Sequence, residues 1–433
     1  MRKIFSLCVL VVLISSFYGY GQTTNKEAAA ALTKGINAGK DKDLNSAIIN
    51  FNKAIELDPK YPDSYYNRGV AYFGLKKYPE SIADYTKAIE LDPKYAKAYS
   101  NRGVAYRNLK KYEEALSDYT KAIELDPKDA FAYNCRGFAY NALKKYPEAI
   151  ADYTKAIELD PKNAYAYNNR GNAYDSLKKY EEALADYTKA IELDPKDAVA
   201  YNNRGNAYRN LKKYPEALAD TTKAIELDPK YVFAYSNRGI AYNALGKTKE
   251  ALADYTKAIE LDPEFSDAYY NRGNAYSGLN KHELAIADYT KAIKLDPNYV
   301  NAYINRGLAY NALKKYEEAL ADYTKAIELD PKDVFAYSNR GIAYDELKKH
   351  PEAIADFTKA IELDPKDAVA YNGRGNAYRN LKKYLEALAD FTKAIELDPK
   401  YVFAYYNRGN AYKSLGKTKE AEADFAKVKE LEK

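Results

Sequence analysis

The chain has 433 residues, 47% hydrophobic and 30% charged, which supplies a folded core and excludes a disordered chain. Lysine and arginine total 67 against 62 acids, a formal net charge of +5 with the signs interspersed. A nucleic-acid partner needs a concentrated basic face, so this distribution argues against one.

Arg2 and Lys3 precede the apolar run IFSLCVLVVLISSF, which is short for a membrane span, and YGYGQTT follows. Gly19 and Gly21 form a small-x-small pattern. Residues 1–21 are therefore expected to be a secretory signal peptide, with an uncleaved anchor as the alternative. Cys8 lies too early in the run for a lipoprotein acylation site. The mature chain is then expected outside the cytoplasm, periplasmic, associated with the outer envelope or secreted, without an integral membrane span. Cys135 is the one cysteine left after cleavage, so packing and not a disulfide must hold the chain.

Everything after that segment is one pattern. The motif ELDP, or KLDP once, places prolines at 59, 93, 127, 161, 195, 229, 263, 297, 331, 365 and 399, always 34 residues apart. A first segment of the form AYxNRGxAY and a second of the form EALADYTKAIELDP each carry apolar residues at three- and four-residue spacing. LKKY joins them and DPK closes the unit, which predicts an antiparallel helix pair repeated in register. Eleven full copies occupy residues 62–433, and a degenerate copy at 28–61 keeps Gly35, Ala47, Phe51, Ala54 and Pro59. In the last copy Glu422 and Lys429 stand where Ile82 and Ile89 stand earlier, so that helix is expected to turn a polar face outward and cap the array. The string beginning at Asp197 nearly recurs at Asp367, as a block duplication of five repeats would leave it. Thr221 departs from the pattern, because other copies have Tyr or Phe there, and a local packing deficit is expected.

The 34-residue period with Gly69, Tyr72, Ser81, Tyr85, Ala88 and Pro93 resembles the tetratricopeptide repeat. The resemblance implies an all-α fold, a right-handed α-solenoid superhelix of helix-turn-helix units whose first helices line the concave side.

That family more often has leucine where this chain has Arg68, Arg238, Arg272 and their counterparts. Eleven buried unpaired charges would be untenable, so each needs a partner. Glu80 and Asp84, with their counterparts, are the candidates. Where the glutamate position becomes Leu284, Arg272 and Asp288 both persist, and where the arginine becomes Lys34 the aspartate becomes Asn50. The expectation is a structural pair within each hairpin, Arg68 with Asp84, Arg238 with Asp254, Arg272 with Asp288. The alternative is an inward ladder of arginines that binds anions.

Groove positions implied by the resemblance form three rows. Asn67, Asn101, Asn169, Asn203, Asn237, Asn271, Asn305, Asn339 and Asn407 make the first, interrupted by Cys135 and Gly373. Asn172, Asn206, Asn274, Asn376 and Asn410 belong to the second, among apolar Val70, Val104, Phe138, Ile240, Leu308 and Ile342. Tyr66, Tyr270 and Tyr406 belong to the third. Asparagine both donates and accepts, so such a row can grip a peptide backbone of any sequence. It resembles the asparagine ladder in the helical-repeat part of O-linked N-acetylglucosamine transferases, without room for their catalytic part. The structural alternative is that these asparagines bridge adjacent helices. A carboxylate clamp for chaperone tails would need further lysines; Lys97 alone matches. The rims mix Arg107, Arg209, Arg379 and Lys413 with Asp175, Asp345 and Glu346, which argues against one dominant anionic ligand.

His282 and His350 lie two repeats apart and share no metal-ligand spacing, and no phosphate loop or nucleophile elbow occurs. No metal, cofactor or catalytic activity is expected. The expected function is a protein- or peptide-binding scaffold, with an envelope or secretion assembly role, or a glycan ligand, as alternatives.

Overall fold

The structure, a computed structural model, describes residues 23–432; the expected signal peptide lies outside the described residues. The described chain is all-α: twenty-four helices run from α1 (Lys26–Lys40) and α2 (Leu44–Leu57) through α3 (Pro62–Gly74) and α4 (Tyr78–Leu91) to α23 (Val402–Ser414) and α24 (Thr418–Leu431). They form antiparallel hairpins, so the chain is a tandem-repeat solenoid of helix-turn-helix units. It divides into two compact units, one ending at Leu227 and the other starting at Asp228.

Local chemistry sets each boundary. After α3 the chain turns through Lys76 at φ 60°, with Lys77 N–H donating to the Tyr72 carbonyl at 2.9 Å. This is a left-handed helix stop, which favours glycine. Gly246 and Gly416 occupy the same place in two copies at φ 73°, and lysines or Asn280 hold it elsewhere. At the end of α4, Asp92 is extended, Pro93 cannot continue the helix, and the Asp92 carboxylate accepts from Lys94 N–H at 2.9 Å. The next first helix then starts. Where Asp129 or Asp367 precedes it, the carboxylate caps two backbone N–H groups.

Each hairpin closes on a glycine. A Cβ on Gly69 would lie 2.8 Å from the Tyr85 ring, and one on Gly171 would lie 2.6 Å from the Tyr187 ring, so only hydrogen lets the helices approach this closely. The ring is fully buried in each case, beside a fully buried alanine such as Ala88 or Ala190. Thr221 is buried where the ring would be, its hydroxyl donating to the Ala217 carbonyl at 2.7 Å. Cys135 is buried among Val104, Ala105 and Tyr119. Glu422 and Lys429 on α24 are exposed.

Within each unit a second helix packs on the next first helix, and consecutive first helices also touch each other. In each unit the first helices therefore present one face, on which that unit's groove positions fall.

Candidate functional site

The arginines come first, because they could have formed the site. Arg68 Nε donates to Asp84 Oδ2 at 2.8 Å and its Nη2 to Oδ1 at 2.7 Å. Arg238 with Asp254 and Arg272 with Asp288 show the same two-pronged geometry at 2.7–2.8 Å. Glu80 is exposed and apart from it. The remaining Nη1 reaches back to the preceding repeat, as Arg102 to Thr86 Oγ1 at 2.9 Å and Arg272 to Thr256 Oγ1 at 3.1 Å. Each guanidinium also lies over a tyrosine ring, 5.7 Å from the Tyr65 centroid for Arg68. Burial pushes the Asp84 carboxyl up against the pull of Arg68, while the bond to Asp84 raises the Arg68 guanidinium. The two directions are compatible: one records the cost of leaving water, the other the bond that offsets it. A carboxyl raised on folding contributes nothing that acid removes, since its folded form holds its proton more firmly than its unfolded form. The arginines are thus hairpin rungs with their donors engaged. The row that completes them, threonine throughout except Asn52 behind Arg68, was not singled out in the sequence because threonine is simply helix-compatible there.

The first-helix face is less uniform than the sequence suggests. Asn67, Asn101 and Tyr66, three of the expected groove positions, are buried. Asn67 donates to the Asp63 carbonyl at 2.7 Å and Asn101 to Tyr66 Oη at 2.9 Å. Tyr66 lies under the Tyr95 ring at 4.8 Å, and that ring seals this end of the row. Arg107 is likewise buried, 5.1 Å from the Phe138 centroid, and forms no open rim.

From the fourth full repeat onward the face opens. Asn169 donates to Asn134 Oδ1 at 3.3 Å, Asn203 to both Asn168 and Asn172 at 3.1 Å, and Asn407 to Asn372 Oδ1 at 3.0 Å. Asn305 donates to Tyr270 Oη at 3.1 Å and to Asn274 Oδ1 at 2.8 Å, while Asn339 turns back onto the Phe335 carbonyl. Many asparagines thus bridge consecutive first helices; the donors remain half-buried, while the acceptors Asn134, Asn168 and Asn372 are buried. Asn237 and Asn376 are half-buried as well. Among the described residues, Asn206, Asn271 and Asn410 are half-buried with no side-chain bond recorded. Tyr270 is half-buried and Tyr406 is 51% exposed. A cleft of about 220 Å³ opens on this face between Asn274, Ser277, Tyr289, Asn305 and Leu308. Sequence reasoning missed a fourth row near the start of the first helices, where Phe335, Val369 and Phe403 are exposed.

His350 Nδ1 lies 2.7 Å from Asp345 Oδ1 and His282 stands apart from it. Among the described residues no group of three His, Cys, Asp or Glu is placed to hold a metal. No described helix is long and apolar enough to cross a membrane.

Hairpins repeated in register define the class of helical-repeat solenoids. The chain belongs to the tetratricopeptide repeat family: the tetratricopeptide repeat pattern matches residues 62–95, 96–129, 164–197, 198–231, 266–299, 300–333, 334–367 and 368–401. Further tetratricopeptide patterns match 41–76, 139–177 and 239–280, and 118–151, 221–253 and 391–423. An uncharacterized protein of Methanocaldococcus jannaschii is 39% identical over 56 residues, 13% of this chain and 65% of that protein. The chain therefore spans less than two thirds of that relative's length. Among solved structures, the APC/C hetero-tetramer Cut9-Hcn1 aligns over 100% of this chain and 96% of its own, with 16% identity and a TM-score of 0.49. A tetratricopeptide repeat protein of Parabacteroides merdae aligns over 58% and 99%, with 23% identity and a TM-score of 0.48. YrrB, described as a TPR protein with an unusual peptide-binding site, aligns over 42% and 95%, with 30% identity and a TM-score of 0.34.

Proposed function

We infer that this protein is a non-catalytic scaffold that holds an extended peptide or protein partner along its first-helix face, outside the cytoplasm. The observation that carries the reading is the set of unbonded, half-exposed asparagine amides on that face, at Asn206, Asn271 and Asn410. An amide left open to solvent can pair with a backbone N–H or C=O of any sequence. The extracytoplasmic part of the reading rests on the order of basic, apolar and small residues over positions 1–21.

One capture experiment tests both parts. Wild-type protein is expected to retain partners from an envelope extract and none from a cytosolic extract. An Asn206→Ala/Asn271→Ala/Asn410→Ala variant with unchanged circular dichroism is expected to lose them. Equal capture by both proteins, or capture from cytosol alone, contradicts the reading.

A further inference from the structure

The unit that starts at Asp228 exposes apolar side chains in an ordered way. Phe335 is 73% exposed, Val369 50% and Phe403 67%. They occupy the same place on three consecutive first helices, Val334–Glu346, Ala368–Asn380 and Val402–Ser414. Leu308 and Ile342 are exposed two helical turns further along the same face, and Tyr406 one turn along. The position is apolar in Phe131, Tyr165, Val199 and Phe233 as well, with Tyr165 38% and Phe233 44% exposed, but Asp267 and Asn301 interrupt it, so an unbroken run of exposed apolar members is confined to the last three repeats; in the first repeats Asp63 is buried and Lys97 is charged, while Val70 and Val104 are buried. Phe403 meets the Tyr401 ring edge-on at 6.2 Å yet keeps two thirds of its surface in water, and an ordered row of such exposed apolar side chains points to a partner.

Charge fixes the chemistry of that partner. At the far end of the same helices stand Asp345, Glu346, Arg379 and Lys413. The acids are engaged: Asp345 accepts from Asn380 at 3.2 Å and faces His350, and Glu346 accepts from Tyr316 at 3.2 Å. The cations have no acidic partner within salt-bridge distance among the described residues: Arg379 donates to Asn407 Oδ1 at 3.2 Å, and Lys413 is exposed. Ten residues separate Val369 from Arg379 and Phe403 from Lys413, about 15 Å along a helix. One edge of the face is therefore apolar and the opposite edge cationic. Asn376 and Asn410 lie between them.

An extended peptide crossing these helices sends alternate side chains to opposite edges. We propose that the three repeats from Val334 to Leu431 bind an extended peptide in which bulky apolar and acidic side chains alternate. The apolar side chains rest on Phe335, Val369 and Phe403, the acidic ones meet Arg379 and Lys413, and the amides between hold the peptide backbone. The proposal rests on the scaffold reading above and names the chemistry of its ligand.

The test is fluorescence anisotropy on the full chain with three labelled synthetic peptides. One alternates phenylalanine and aspartate, one has the same composition in two blocks, and one alternates phenylalanine and lysine. The alternating acidic peptide is expected to bind at least about tenfold tighter than either control. Phe335→Ser/Phe403→Ser and Arg379→Glu/Lys413→Glu are each expected to weaken it by about tenfold or more. These side chains lie outside the core, so the fold survives, and Leu385→Ser, an equally exposed residue on a second helix, should change nothing. Equal binding of the three peptides, insensitivity to the paired variants, or no binding overturns the proposal. If the acidic peptide loses affinity in the triple asparagine variant but not in the phenylalanine and cation variants, this inference falls and the scaffold reading stands.

Discussion

Replacing Asp288 with alanine is expected to destabilise its hairpin by about 3 kcal/mol, measured by urea denaturation of the full chain. The carboxylate is 8% exposed and the Arg272 side chain 18%, so removing one partner strands the other charge where water barely reaches it. Arg272→Leu alone strands the aspartate and is expected to cost a similar amount. The double variant Arg272→Leu/Asp288→Ala removes both charges and restores the residue more common in the family at the arginine position. It is expected to lose much less than the sum of the single losses, because much of each single loss is the penalty of an unpaired charge. Additive losses would show that the two side chains do not work as a unit. The bond from Arg272 to Thr256 adds a link to the preceding repeat, so Thr256→Val should loosen that junction while leaving the hairpin pair intact.

The aromatic wedge is the second place where one side chain matters. Tyr187 is 1% exposed, fills the space against Gly171, and donates its hydroxyl to Asn172 at 2.8 Å. Tyr187→Ala is expected to cost about 3–5 kcal/mol through the cavity and the lost bond. Thr221 is the same position emptied by nature. Thr221→Tyr is expected to raise the melting temperature, since Gly205 already leaves room on its helix for a ring. An unchanged or lowered melting temperature would show that the neighbours of Thr221 have closed the gap.

The fold was legible because its information is periodic. One glycine–tyrosine contact, one proline stop and one helix pair recur every 34 residues, and a period cannot be produced by chance composition. The arginine geometry had a trace in the sequence too, since Asp288 stays with Arg272 while Leu284 replaces the glutamate. The asparagine row was legible as a row but not as a surface. Whether Asn67 and Asn101 meet solvent depends on Tyr66 and Tyr95, whose rings close over that end of the face, and a repeat pattern does not reveal such a seal. The row of Phe335, Val369 and Phe403 escaped for the opposite reason. Its position alternates between polar Asp63, Lys97, Asp267 and Asn301 and apolar Phe131, Tyr165, Val199 and Phe233 in other copies, so it looks like variation, and only solvent exposure on adjacent helices shows that three apolar members stand together.

Two sets of side chains with different tasks emerge on each repeat. Arginine, aspartate, threonine and tyrosine tie hairpin to hairpin, with every charge engaged. The amides of Asn206, Asn271 and Asn410 and the exposed apolar groups on the first helices are left over, and these are what a partner can use. Hydrogen–deuterium exchange of the full chain, with and without a peptide enriched from a random display library, tests this division most directly. The account predicts added protection in the first helices from Ala198–Asn210 to Val402–Ser414, with the second helices unchanged. Protection concentrated in the second helices, around the arginine–aspartate rungs, would contradict it.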